Sequence, residues 1–334
     1  MRKILVVFIF LLSLSAGVFA QVGGRRSFAF LDVPGYARLS GMGGVNVSLS
    51  GRDVNFFLSN PSLLTDTLAG FASATYQFYV ADVGQATFSY AHDFGKIGLL
   101  AFGIQHLNYG NITSYDDTGM ELGDFKSGET ALVISKSHLV SAFRMGASLK
   151  FAFSNIAGYR ASAVMVDLGG TFEHPNKRLT VGLVIKNLGV VLSEYSGSRN
   201  STLPFDVQLG TTFKPEHMPL RFSITAYNLT KKGVTYYDRD GDQEEPNGLN
   251  KILRRFNFGA EILLHRNVNV LIGYNYAVRQ ELKLESVSGT AGIALGFSAR
   301  IKSIEFVFSR NGYVIGNAGY GFTLSRNMER KSKK

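Results

Sequence analysis

Over most of its length this chain alternates apolar with polar or small residues at a period of two. It does so in segments longer than most soluble sheets use. Residues 143 to 153 show the pattern: Phe143, Met145, Ala147, Leu149, Phe151 and Phe153 point one way, and Arg144, Gly146, Ser148, Lys150 and Ala152 the other. Alternate side chains of a strand lie on opposite faces, so such a segment has one apolar face and one polar or small face. The pattern recurs at 178–185 (Leu179, Val181, Leu183, Ile185), at 254–264 (Phe256, Phe258, Ala260, Ile262, Leu264) and at 268–276 (Val268, Val270, Ile272, Tyr274, Tyr276). About fourteen such segments occur, near 70–80, 84–92, 97–109, 128–136, 141–154, 160–173, 178–189, 204–213, 219–229, 253–264, 267–277, 289–300, 302–309 and 317–325. Most have the roughly 9–11 residues that a tilted strand needs to cross a hydrocarbon core.

The connections alternate as well. Six are tight, at 93–96, 137–140, 174–177, 214–218, 265–266 and near 301. Those between them are often long, at 110–127, 190–203, 230–252 and 278–288, with the short 81–83 connection as an exception. Short turns on one rim and long loops on the other describe an outer-membrane barrel whose short turns face the periplasm. A soluble sandwich also alternates, but its strands run nearer 5–6 residues. The expected fold is therefore all-β: an antiparallel transmembrane β-barrel of about 14 strands over 70–325. One segment departs from the pattern. Residues 97–109 are apolar on both faces, with Leu99, Ala101 and Leu107 against Leu100, Phe102 and Ile104. That suits a strand whose inner face meets protein instead of water.

The first residues read as an export signal. Arg2 and Lys3 precede an apolar run from Ile4 to Leu14, and Val18-Phe19-Ala20 supplies a cleavage site, so residues 1–20 are expected to be removed. The apolar run is short of the ~20 residues of a spanning helix. With no cysteine in the chain, a lipoprotein anchor, a disulfide scaffold, a thiolate metal site and a cysteine nucleophile are all excluded. The formal charge of +10 raises nucleic acid as a partner. Its Lys and Arg are scattered and the chain is read as exported, so no nucleic-acid partner is expected.

Residues 21–69 contain no strand of barrel length. They carry Phe30-Leu31-Asp32-Val33-Pro34-Gly35-Tyr36-Ala37-Arg38, then Gly41-Met42-Gly43-Gly44-Val45-Asn46-Val47-Ser48, then Asp53-Val54-Asn55 and Asn60-Pro61. The glycines allow sharp turning or close backbone approach. A nucleotide-binding loop is excluded because no strand–helix unit surrounds them. Asp53 is expected to cap a short helical turn that Asn60-Pro61 ends.

This stretch resembles the N-terminal hatch of FadL-type fourteen-stranded barrels, which begin with a Gly-rich segment, an acidic residue and an Asn-Pro before the first strand. It resembles more closely the PorQ family of type IX secretion barrels. That family opens with Phe-Leu-x-x-Pro-x-x-Ala-Arg and Gly-Gly-x-x-Val-Ser, matched here with small departures at Phe30 to Arg38 and Gly43 to Ser48. Further matches are Ser148-Leu149-Lys150-Phe151, Asp167-Leu168-Gly169, Lys186-Asn187-Leu188-Gly189, and Gly273-Tyr274-Asn275-Tyr276 with Leu282-Lys283-Leu284. The resemblance implies a hatch or plug over 21–69, with Arg38, Gly43, Gly44, Asp53, Asn60 and Pro61 as its key residues. It also implies a non-enzymatic role with no cofactor: the barrel would hold a surface protein of the PorZ type, beside PorU and PorV. That attachment complex processes cargo and joins it to anionic lipopolysaccharide. The alternative is a FadL-like transporter of hydrophobic small molecules.

Residues able to carry chemistry are few. The six histidines (92, 106, 138, 174, 217 and 265) lack metal-ligand spacing, and no Gly-x-Ser-x-Gly elbow occurs. The loop Asp238-Arg239-Asp240-Gly241-Asp242 is a weak calcium candidate through Asp238, Asp240 and Asp242, interrupted by Arg239. With Tyr236 and Tyr237 beside it, a partner-binding loop is the stronger reading. Tyr115, Asp116 and Asp117 in the 110–127 loop are candidates of the same kind. Inside the barrel, the polar face of 144–154 carries Arg144, Ser148, Lys150 and Ser154. Counting from both turns places Asp167 diagonal to Lys150 and Lys186, a lumen charge cluster; a water-filled lumen that simply solvates these charges is the alternative. Residues 326–334 read as a free basic tail.

Overall fold

The computed structural model describes residues 26–195, 201–231, 247–282, 289–314 and 317–329. The export signal 1–20, the loop residues Tyr236 to Asp242 and the end of the basic tail lie outside the described residues.

Fourteen strands are present among the described residues. The first seven are β1 (Phe71–Phe78), β2 (Gly84–Asp93), β3 (Leu99–Tyr115), β4 (Glu121–Val140), β5 (Phe143–Ile156), β6 (Tyr159–Glu173) and β7 (Leu179–Ser193). Then follow β8 (Asp206–Phe213), β9 (Leu220–Ala226), β10 (Phe256–His265), β11 (Val268–Asn275), β12 (Ile293–Ile301), β13 (Ile304–Val314) and β14 (Asn317–Asn327). Each strand pairs antiparallel with its sequence neighbours, and β14 closes the barrel on β1 from Phe71↔Asn327 to Phe78↔Tyr320. Every segment read from alternation is a strand. Their outer faces expose Phe88, Ile104, Leu149, Leu183, Ile224 and Phe297, while their inner faces bury Ser73, Gln77, Ser148, Thr212 and Thr225. That inversion of the soluble pattern is what a lipid-facing barrel requires.

Two connections and the C-terminal tail differ from expectation. The 110–127 loop is instead a continuation of β3 and β4, a two-stranded ribbon turned at 116–120. Asp116 closes the turn, accepting from Thr118 N at 2.9 Å, Thr118 Oγ1 at 2.7 Å and Met120 N at 2.8 Å. The ribbon stands beyond the sheet, so neither face is buried and no alternation marks it. The 278–288 loop begins inside a helix, Tyr276–Leu282. The tail starts later than residue 326: Arg326 lies in β14, opposite Ala72 and Ile304.

Residues 27–69 run through the inside of the barrel in short helical turns. They begin near the long-loop rim, where Arg26 bridges Thr202 and Ser27 N donates to Thr202 O at 3.0 Å. They end at the short-turn rim, where β1 begins. Wall glycines make room for them. A Cβ on Gly146, Gly169, Gly182 or Gly273 would overlap Pro61, Asn60, Val47 or Met42–Gly43 respectively. Two buried apolar clusters pack this segment on the wall. Phe56, Phe57 and Leu58 meet Leu99 and Ala101, while Phe28 and Phe30 meet Leu107, Ala152 and Met165. The inner face of β3 is apolar because protein fills the lumen there.

Candidate functional site

The centre of the filled lumen is an arginine. The short helix Ala37–Gly41 carries Arg38. Its Nη1 lies 2.7 Å from Glu261 Oε1, its Nη2 2.5 Å from Glu305 Oε1 and its Nε 3.3 Å from Asp53 Oδ2. Arg221 holds the other oxygen of Glu261, and Arg300 holds the other oxygen of Glu305 at 2.7 Å. Three guanidiniums thus meet three carboxylates. The Arg38 and Asp53 side chains are 6% exposed and that of Glu261 0%, so neither charge on Arg38 nor on its acids is solvated alone. Burial opposes the charge on Arg38, but Glu261, Glu305 and Asp53 outweigh it and hold the guanidinium above its ordinary pKa. Glu261 sits on the inner face of its alternating strand, so an inward lone carboxylate was visible in the sequence. That Arg38 would meet it across the lumen was not.

Asp53 does not cap a helix. Its Oδ1 accepts from Asn55 N at 3.0 Å and Asn55 Nδ2 at 2.9 Å, and Asn55 occupies the cap position of the turn Phe56–Ser59. Burial pushes the Asp53 carboxyl above its usual range, and Arg38 offsets this only in part. A folded value raised above the unfolded one stabilises below the unfolded pKa of about 3.9 and is lost as pH rises through the folded value. The unfolding temperature of the native protein minus that of Asp53→Asn should therefore fall as pH rises above about 4. A difference that is flat, or that grows, would show that Arg38 dominates.

Gly43 and Gly44 turn the segment at φ values of 90° and 92°. Wall amides fasten the turn: Asn257 Nδ2 donates to Met42 O at 2.9 Å and Val45 O at 2.7 Å, and Asn275 Nδ2 to Gly43 O at 3.1 Å. Asn60 ends the turn Phe56–Ser59 and caps the next one, Pro61–Leu63. Its Oδ1 accepts from Ser62 N at 3.1 Å, while its Nδ2 donates to Val47 O at 2.9 Å.

Lys150 and Asp167 pair on the opposite wall at 2.5 Å and are 4% and 1% exposed. Asp167 also accepts from Asn187 N at 2.8 Å, and Lys150 Nζ donates to Asn187 Oδ1 at 3.0 Å. Asn187 has φ 57° and lies where the β6–β7 register shifts between Val166 and Leu168. The carboxylate thus satisfies a bulge amide that the sheet leaves unpaired. Lys186 is half-buried opposite Asp206. Asp167→Asn leaves Lys150 buried without a counter-charge, at a cost of about 3 kcal/mol. Its thermal midpoint should drop clearly; an unchanged midpoint would remove any role for the pair.

A cavity of about 820 Å³ opens at the short-turn rim, floored by Arg38, Asp53 and Glu305. Another of about 250 Å³ lies toward the long-loop rim under Tyr227 and Tyr313. A smaller one of about 40 Å³ lies beside Lys150, Lys186 and Tyr36. At the ribbon tip Tyr115 is 61% exposed, with Asp116 and Asp117 next to it in the turn. No cluster of metal-ligating side chains occurs among the described residues.

No protein-family model and no curated protein matches the chain. Solved structures do. A mutant of TodX, a monoaromatic hydrocarbon channel, superposes with a TM-score of 0.51 at 14% identity, over 88% of this chain and 98% of that one. A Pseudomonas aeruginosa FadL homologue gives 0.47 at 11% identity, over 88% and 100%. The likeness to the TodX channel is one of fold, which in this chain is a closed fourteen-stranded antiparallel barrel.

Proposed function

We propose that this chain is an outer-membrane barrel that serves as an anchor and not as a passage, holding a soluble surface protein at its long-loop rim. The observation that supports this is the filled lumen. The segment 27–69 bonds to opposite walls through Arg38, Asn60 and Ser62 and packs its apolar side chains against them. The finer assignment is a component of the type IX attachment complex, with a PorZ-type partner, PorU and PorV nearby and contact with lipopolysaccharide. Its support is the sequence resemblance at Phe30 to Arg38, Gly43 to Ser48 and Lys186 to Gly189. Tyr115, Asp116 and Asp117 on the projecting ribbon, and Tyr236 to Asp242 in the 230–252 loop, are the proposed contact residues.

The test is affinity purification of a tagged copy from detergent-solubilised outer membranes, followed by mass spectrometry. Near-equal recovery of a large soluble surface protein is expected. Deleting 230–252 should release that protein; an unchanged surface level would clear the loop of the contact. The second reading, a transporter of hydrophobic small molecules, is favoured by the fold shared with a monoaromatic hydrocarbon channel. Recovery of the barrel alone with bound hydrocarbon or fatty acid would decide for it.

A further inference from the structure

The cavity at the short-turn rim holds more positive charge than its own acids can match. Its floor is the balanced network of Arg38, Arg221 and Arg300 with Asp53, Glu261 and Glu305. Its walls add Arg52, Lys214 and Arg266. The remaining wall acid, Glu216, is already committed to Arg178 outside the cavity. Arg52 rests 5.7 Å above the Phe71 ring, and among the described residues neither Lys214 nor Arg266 has a carboxylate partner. Three exposed cations are therefore left facing one concave space, with His217 and His265 beside them.

Size and layout indicate the occupant. At about 820 Å³ the space belongs to the roughly 300–1,000 Å³ class that holds whole ligands instead of single ions. The cations stand on three separate elements: the inner segment, the 214–219 turn and the 266–267 turn. They spread around a broad mouth, which suits carboxylates strung along a chain better than one phosphate. The chain's own tail shares the sign of the wall, with Arg330, Lys331, Lys333 and Lys334. The floor is closed by the Arg38 network, so an occupant would dock there and go no further.

We propose that this vestibule binds an acidic peptide segment of a periplasmic protein. The proposal rests on the outer-membrane orientation, not on which protein the barrel holds at the surface. The probe is a fluorescein-labelled octamer of glutamate, titrated against the purified, detergent-solubilised barrel in about 0.15 M salt, where exposed long-range attraction is screened. Folding of each variant is checked by its heat-modifiable migration on gels. Lys214→Glu with Arg266→Glu should weaken binding by about tenfold or more, because rim charges of the same sign as the ligand repel it. The control pair Lys96→Glu with Lys177→Glu, on the same rim but outside the cavity, should change it less than about twofold. Equal losses in both pairs would mean diffuse rim charge and overturn the proposal. Displacement of the octamer by excess inorganic phosphate would also overturn it, in favour of a phosphate site. A bound octamer that resists phosphate and is lost only with the cavity pair would sustain it.

Discussion

Arg38→Met should cost the barrel most of its folded yield, and Asp53→Asn in the same chain should restore much of it. The asymmetry follows from who else holds each acid. Without Arg38, Glu261 keeps Arg221 and Glu305 keeps Arg300, but Asp53 keeps no cation. Breaking a buried pair from one side costs about 3–5 kcal/mol because the remaining charge is stranded. Neutralising Asp53 leaves two intact pairs and an apolar Met where the guanidinium stood. The readout is the fraction of heat-modifiable barrel after refolding, with thermal unfolding of what folds. A double variant no better than Arg38→Met alone would show that Arg38 acts through Glu261 or Glu305 instead.

Gly273→Val should open the barrel to ions. The Gly273 Cα lies against the Met42–Gly43 backbone, so any Cβ there overlaps main chain, which has no rotamer to yield. Overpacking costs about 1–3 kcal/mol, and moving the segment is the escape because the wall is tied by β10–β11 and β11–β12 pairing. Displacement also breaks the bonds that Asn257 and Asn275 make to the turn. In planar bilayers the native barrel should pass little current and the variant should conduct, with new proteolytic cleavage near 42–46. Gly170→Val is the control, since nothing lies within 4 Å of a Cβ there. Equal conductance in native and Gly273→Val barrels would mean that 27–69 does not block the lumen.

The strands were legible because lipid on one side and protein on the other impose an alternation that little else produces. The ends of strands were not legible where that two-sided environment stops. From 111 to 126 neither face is buried, so Tyr115 and Leu122 carry no periodic signal although both are in strands. The inner-facing apolar row Leu99, Ala101 and Leu107 did report a filled lumen, because apolar groups on both faces of one strand need a partner on each. Lys150 and Asp167 lie on adjacent strands whose register fixes their relative height, whereas the register shift at Asp167 leaves Lys186 opposite Asp206. The Arg38 network escaped counting from turns. Its members come from a non-repetitive segment and four strands 160 or more residues further along in the sequence, and no local rule spans that separation.

The segment inside the barrel comes before every strand in the chain, and the short helix at its heart bonds across the seam where the last strand meets the first. Ala37 N donates to Thr323 Oγ1 of β14 at 3.0 Å, and Ser40 Oγ donates to Gln77 of β1. A cylinder that zipped shut first would exclude its own filling. Closure of the β1–β14 seam is therefore expected to be the final step of biogenesis, with the early part of the polypeptide serving as the mandrel around which the later part is wound. A copy lacking 27–69 should stall with that seam unpaired, and cysteines placed at Thr75 and Thr323 should then fail to crosslink.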